Sequence, residues 1–510
     1  RRSAIVSIER DPEASQLQPL RASIDGEEDV TLKARKVRLE RLMTIRFGET
    51  DAERVDAMAS FDGDTGIDVR AALNPILATR TEVAAELPED INVARRLSPG
   101  RDLSINQAYQ LLVSAGLAPP SVSDDQRDQV LIAQAVDGQV AGVPLATLDN
   151  DIARDNAYRT LAAEGLVEPL IAADQQAASI EKHVFYDRYV EPSTAVTDAA
   201  QTTLLSINRS VGVQQTADLA LDALSLASIY FLAAIGLAIT FGVMGVINMA
   251  HGEFIMMGAY TGYVVQLFVP DYTVSIIVAL PLAFAVTFAA GVAMERLVIR
   301  HLMHRPLETL LATFGISIAL QQLAKNIFGT QARPLTAPGW LDGSLVFNDI
   351  ISISYIRIAI FVLAVIFFFV LLFILNRTRL GLEVRAVTQN PRMASSMGIN
   401  PDRINMLTFG LGSGIAGIAG VAIGLFAQVT SELGTNYIVQ SFMTVVVGGV
   451  GNIFGTLAGA GMIGSLQKVI EFFNPSNTLA AQTYMIIFII IFIQFRPKGI
   501  IALRGRAAGD

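Results

Sequence analysis

The pattern of apolar positions changes near residue 219. Ahead of it, apolar residues recur every three or four positions with polar ones between. Beyond it, they run in long blocks with little charge. The first pattern predicts short amphipathic helices over Asp29–Ile45, Asp51–Ala59, Asp68–Leu77, Ile105–Ala115, Asp125–Ala135 and Asp149–Glu164. Several open on Asp, whose carboxylate suits the free N–H groups of a first turn. Pro119 and Pro120, with Ser121 and Ser123, mark a break. Residues 1–193 therefore read as an all-α soluble domain, either a small globule or an irregular stack of helix pairs without a strict period. Residues 194–216, rich in Thr, Ser, Gln and Ala, read as a linker.

The second pattern predicts a polytopic α-helical membrane domain over 217–505. Blocks near the roughly 20 apolar residues that cross a bilayer are Leu219–Val246, Val274–Leu297, Ile353–Leu375 and Thr478–Phe495. Thr309–Phe328 and Ile404–Val429 are long but more polar, and Gly252–Val269 and Asn452–Phe473 are Gly-rich. With the short Asn436–Val450, eight or nine membrane elements are expected. A soluble bundle does not leave so many consecutive helices without a polar face.

Charge sharpens the division. Residues 1–210 hold 22 basic and 34 acidic side chains, a net of −12, and the remainder holds 16 and 13, a net of +3. No long Lys/Arg run occurs, so no nucleic-acid partner is expected. The chain has no cysteine, which removes disulfides and thiolate chemistry. It opens on Arg1 rather than methionine, which fits a front end from which a signal peptide has been removed.

Three basic clusters lie between or after the spans: Arg300, His301, His304 and Arg305; Arg377, Arg379, Arg385, Arg392 and Arg403; and Arg496, Lys498, Arg504 and Arg506. The positive-inside rule puts all three in the cytoplasm. Counting spans from them puts the acidic front domain outside, and the C-terminus inside if there are nine crossings.

The loop 377–403 sits between two strong spans. Its apolar spacing predicts a short helix up to the break at Asn390-Pro391. A second short helix then follows, with Asn390 as N-cap and Pro391 at its first position. Gly398 is placed to end it in a left-handed turn. Two flat helices at a membrane face suit the docking of a soluble motor, and equally a basic loop that only sets topology. No Gly-Lys dipeptide occurs, so no Walker phosphate loop is present. Energy must come from a partner or from an ion gradient.

Four stretches together resemble the permeases of branched-chain amino acid ABC importers. Gly236-Leu-Ala-Ile-Thr-Phe-Gly-Val-Met-Gly-Val-Ile-Asn248-Met-Ala-His251-Gly252-Glu253 is similar to the start of that fold. Val446-Val-Gly-Gly-Val-Gly-Asn-Ile-Phe-Gly455 and Phe495-Arg-Pro-Lys-Gly499 also look familial. Ala394 and Gly398 match the coupling loop, although Arg392 and Met393 replace its usual Glu-Ala. The resemblance covers nearly all of 219–505, and the extra front domain resembles the urea-importing branch. It implies a second homologous permease, two ATP-binding subunits, an extracytoplasmic solute-binding protein and an inner-membrane location. It also implies that the chain is no enzyme and carries no cofactor. Arg385, Pro391, Ala394, Gly398 and Ile399 are its expected contacts to the ATPase. Urea is the expected solute, with branched-chain amino acids or short amides as the alternative. A gradient-driven carrier or channel is a further one.

Polar groups within spans are costly and face a cavity or a partner. Asn248, His251 and Glu253 interrupt the first apolar run near its expected cytoplasmic end, as a gate or solute-lining turn, or as a hydrogen-bonded packing turn. Gln321, Gln322 and Lys325 are expected toward one outer end; Gln428, Glu432, Asn436 and Gln440 are expected toward another. Gln467, Lys468 and Glu471 share a late span, where Lys468 and Glu471 are spaced to pair. Gly410, Gly414 and Gly417, and Gly451, Gly455 and Gly459, form small-residue stripes that let helices approach. No metal-binding spacing occurs, and His183 and Asp187 in the front domain form no recognisable catalytic constellation.

Overall fold

A computed structural model of the chain describes residues 2–136, 138–171, 173–303, 305–348 and 350–501. His304, Arg504 and Arg506 of the basic clusters lie outside the described residues. The chain divides into two compact units, Arg1–Val211 and Gly212–Asp510.

The front unit is not all-α. Strands β1 (Thr79–Ala84), β2 (Val93–Leu97) and β3 (Val184–Tyr189) form an antiparallel sheet in the order β1-β3-β2. The central strand buries Phe185, Tyr186 and Tyr189. It also buries Asp187, which accepts from Thr81 Oγ1 at 2.7 Å and Arg95 Nε at 2.9 Å. Helical spacing hides these strands because their outward positions carry Arg and Glu and their partners lie about 100 residues apart in the chain.

The segment 194–216, expected as a linker, is helical. It opens helix α1 (Thr194–Met244), and its first turns bury Val196, Ala200 and Ile207 in the front unit. Asn92 Nδ2 donates to the carbonyls of Glu191 and Ser193 and to Thr197 Oγ1, fixing that helix start. A segment without proline continues a helix as readily as it makes a linker.

A duplication runs through the second half of this unit. Ala108, Tyr109, Leu112, Gly116, Leu117, Pro120, Asp125 and Gln126 recur 49 residues later as Ala157, Tyr158, Leu161, Gly165, Leu166, Pro169, Asp174 and Gln175. The backbone repeats too. Gly116 has φ 71° and Gly165 φ 72°, each ending its helix in the left-handed conformation that glycine adopts without a Cβ penalty. Leu117 N–H then donates to the Leu112 carbonyl, and Leu166 N–H to that of Leu161. The two copies exchange halves. Ile105–Ser114 of the first packs on Ala173–Glu181 of the second, and Asp124–Ala133 packs on Asp151–Ala163. One core joins Ala108, Tyr109 and Leu112 to Ile180; the other joins Ala157, Tyr158 and Leu161 to Leu131.

In the membrane unit α1 continues to Met244. Then come α2 (His251–Phe268), α3 (Tyr272–Met294), α4 (Pro306–Phe328), α5 (Tyr355–Arg377), α6 (Arg379–Gln389), α7 (Pro391–Ser396), α8 (Pro401–Phe426), α9 (Leu433–Gly448), α10 (Ile453–Phe473) and α11 (Thr478–Phe495). Among the described residues six helices are long and apolar enough to cross a membrane: Thr194–Met244, Tyr272–Leu302, Pro306–Phe328, Tyr355–Arg377, Pro401–Phe426 and Ile453–Phe473. Against the eight or nine elements expected, α2 carries His251 and Glu253 in its first turn, and α9 has 16 residues.

Helix α8 is the core of this unit, with both α2 and α3 packed on it. Its glycines are internal packing positions. A Cβ on Gly417 would stand 2.2 Å from Thr287 Oγ1, and one on Gly414 would stand 2.5 Å from the Phe284 ring. Gly455 and Gly459 likewise receive the end of α9.

Candidate functional site

Helix α1 stops at Gly245, whose φ of 65° turns the chain back. Residues 245–250 return along α1, so α2 begins beside the last third of that helix and short of its end. His251 Nε2–H donates to the Ala233 carbonyl at 2.9 Å. Ala233 lies 11 residues before Met244, about 16 Å along the helix axis at 1.5 Å per residue. The polar turn therefore reaches into the unit instead of lying at the end of a span, where its place in the sequence put it.

Irregular backbone at this depth needs internal partners. Asn248 Oδ1 accepts from Ala250 N–H at 3.0 Å, and Thr313 Oγ1 accepts from Met249 N–H at 3.1 Å. Asn248 and His251 are both buried. His251 thus ties the turn to α1, the packing role, while the Nδ2 of Asn248 has no hydrogen-bond partner.

Glu253, one turn on, is 1% exposed. Its Oε1 accepts from Ser317 Oγ at 2.8 Å and Gln321 Nε2 at 2.9 Å, and its Oε2 has no partner. Gln321 Nε2 also donates to Thr435 Oγ1 at 2.6 Å, at the start of α9. One turn further along α4, Lys325 Nζ pairs with Glu432 at 3.2 Å. The backbones of Gly252 and Gly434 touch, and a Cβ on Gly252 would stand 2.4 Å from the Gly434 carbonyl oxygen. Two helix starts, α2 and α9, thus meet a polar face of α4 around one buried carboxylate. A carboxylate with one oxygen unpartnered keeps acceptor capacity for a further N–H donor.

The structure therefore joins groups that lie far apart in the sequence: Glu253, Gln321 and Thr435 in one cluster, Lys325 and Glu432 beside it. Gln440 lies on α9, half-buried, with its Oε1 unpartnered. Gln322 and Gln428 are exposed and outside the cluster. Ser317, Thr313 and Thr435 were missed by sequence reasoning. Their signal was present: Thr309, Thr313, Ser317, Gln321 and Lys325 put a polar residue at every fourth position of α4, one face of a helix. Among the described residues no group of three or more His, Asp or Glu is placed to hold a metal ion.

A second polar group ties α1, α5 and α10 together. Arg357 pairs with Asp222, and Lys468 Nζ lies 3.6 Å from Asp222 and 3.0 Å from Glu471. Gln467 Oε1 accepts from Tyr230 at 2.5 Å. The spacing of Lys468 and Glu471 is realised as an ion pair within a neutral network.

The segment 377–403 folds as its punctuation dictates. Asn390 Oδ1 accepts from Met393 N–H at 3.1 Å at the start of α7, Pro391 opens the helix, and Gly398 has φ 84°. Val384, Val387, Ala394 and Ile404 form its small core, with Ile399 packed against it. Arg385, Pro391, Leu382, Met393, Met397 and Gly398 face outward.

The sequence profile of the branched-chain amino acid transport system permease component matches residues 219–494. Among curated proteins, the chain is 30% identical over 293 residues to the high-affinity branched-chain amino acid transport system permease protein BraD of Pseudomonas aeruginosa. That match covers 55% of this chain and 94% of BraD. LivH of Escherichia coli K12, with the same description, is 28% identical over 55% of this chain and 93% of its own length. LivM of Salmonella typhimurium is 24% identical over 55% of this chain and 70% of its own. No solved structure matches.

Proposed function

Because the chain belongs to the branched-chain amino acid transport system permease family, whose members are membrane permeases of ABC importers, we propose that it carries branched-chain amino acids past Glu253. Family membership implies ATP-binding subunits, a solute-binding protein and a second permease as partners. The observation that carries the solute reading is the buried Glu253 carboxylate, with one oxygen free and the other held by Ser317 and Gln321. An α-ammonium group supplies the N–H donors and the charge such a carboxylate takes. Asn248, Gln321, Glu432 and Gln440 line the route on either side, and His251 holds the turn in place. The outward face of 377–403, with Pro391 and Gly398 around buried Ala394 and half-buried Ile399, takes the ATPase. The basic loops face the cytoplasm, the front unit stands outside, and the sparse charge of the spans supports a multi-pass inner-membrane location.

Urea is the second reading. It is favoured by the front unit, which has no counterpart in relatives matched over 93–94% of their own length. Uptake of labelled leucine and labelled urea by the reconstituted transporter separates the two, and Glu253→Gln adds a test of mechanism. A charged hydrogen bond contributes roughly 1.5–3 kcal/mol against about 1 for a neutral one. Leucine uptake should therefore fall about tenfold or more in that variant, whereas a urea importer should lose only a few-fold. Wild-type leucine uptake with the variant unimpaired would overturn the role of Glu253; urea uptake alone would overturn the amino acid reading.

A further inference from the structure

Between the ends of α1 and α5, helix α6 and the turn that starts α10 lies a cleft of about 420 Å³. Its lining is apolar at Leu372, Leu375 and Phe454 and polar at Arg385, Gln389 and Asn452. Helix α5 is mostly unburied, and Phe369 and Phe373, beside the cleft-lining Leu372, are 62% exposed. The cleft thus opens beside a face that only lipid or a partner can cover. Arg385 is exposed and has no carboxylate partner among the described residues, whereas the neighbouring Arg379 is paired with Glu383 at 2.7 Å. A free guanidinium in a cleft otherwise lined largely by apolar side chains, beside an uncovered apolar helix face, matches a phosphodiester with its acyl chain.

We propose that this cleft holds an anionic phospholipid, its phosphate on Arg385 and its chain against Leu372 and Phe454. The lipid then wedges α6, the first helix of 377–403, against α1 and α5. Val384 lines the cleft and also belongs to the small core of that segment, so the lipid supports the surface assigned to the ATPase. The inference does not depend on which solute is carried.

The test uses the intact transporter, purified with its partners and examined by native mass spectrometry with added phosphatidylglycerol or phosphatidylcholine. Phosphatidylglycerol should be retained over phosphatidylcholine. Retention should fall about fivefold in Arg385→Gln, the effect of removing one basic residue near an anionic lipid surface, and should persist largely in Arg385→Lys. Thr388→Trp, which fills the slot but keeps the charge, should also release the lipid; Arg385→Lys keeps the test open if that variant does not assemble. Equal retention of both lipids by wild type, or retention unchanged in Arg385→Gln, would overturn the proposal. Displacement of phosphatidylglycerol by inorganic phosphate at matched concentration would reassign the cleft to a free anion.

Discussion

Replacing Gly252 by alanine tests the central feature of the site, the meeting of α2 and α9. The new Cβ would lie 2.4 Å from the Gly434 carbonyl oxygen and 2.8 Å from its carbon, where ordinary contact begins at 3.4 Å. The obstacle is backbone on a buried helix, so no side chain can swing away. One helix start must move by about 1 Å, the difference between 2.4 and 3.4 Å. Such overpacking costs about 1–3 kcal/mol. The same movement pulls Gln321 away from Glu253 or from Thr435, because its one amide nitrogen holds both, at 2.9 and 2.6 Å. Two measurements are needed on the purified transporter: its thermal midpoint in detergent and its solute uptake in proteoliposomes. Gly252→Ala should lower the midpoint and reduce uptake beyond the loss of folded protein. Gly461→Ala in α10, where an added Cβ meets nothing within 4 Å, is the control. It should be neutral or slightly stabilising, since alanine favours a helix over glycine by about 1 kcal/mol. If both variants melt and transport like wild type, the two helix starts do not touch and the reasoning fails.

Asn390→Ala removes the cap of α7 and should cost about 0.5–2 kcal/mol locally. The expected result is less solute moved per ATP hydrolysed, with basal hydrolysis retained. In the front unit, the Arg38 guanidinium, helped by the Gly66 N–H, holds the Asp64 carboxyl below its ordinary value of 3.8 against the opposing effect of burial. A depressed folded value means that this stabilisation is full above 3.8 and is lost as the pH falls through the lower folded value. Limited proteolysis of the front unit across that range should show protection fading with acid. In Arg38→Gln the acid dependence should be weaker, and protection already lower at neutral pH.

Legibility followed the range of the interactions. The 377–403 segment was readable because Asn390, Pro391 and Gly398 act on their own neighbours. The strands of the front unit were not, since β3 holds together partners that are remote in sequence. The duplication escaped as well, because only a scattered minority of positions is retained and the repeat occurs just twice. Within the membrane unit, the polar residues of the candidate site were visible one by one. Their convergence was not, because a pattern of apolar blocks cannot register that 245–250 doubles back along α1. The fourfold spacing of polar residues on α4 was the one cue that pointed to a shared face.

The exchanged halves of the front unit have a consequence for its origin. Neither copy of the repeat owns a complete core, since Leu131 and Ile180 each serve the helix of the other copy. A single copy alone would leave half of each apolar surface open to water. It could close only by associating with its like about a two-fold axis, each protomer lending its second helix to the other. The present chain has the packing such a dimer would have with its two copies joined in one polypeptide. The copies also differ at their ends: the second leads into β3, the centre of a sheet, and the first into a two-stranded hairpin of Gln139–Val140 with Val143–Pro144.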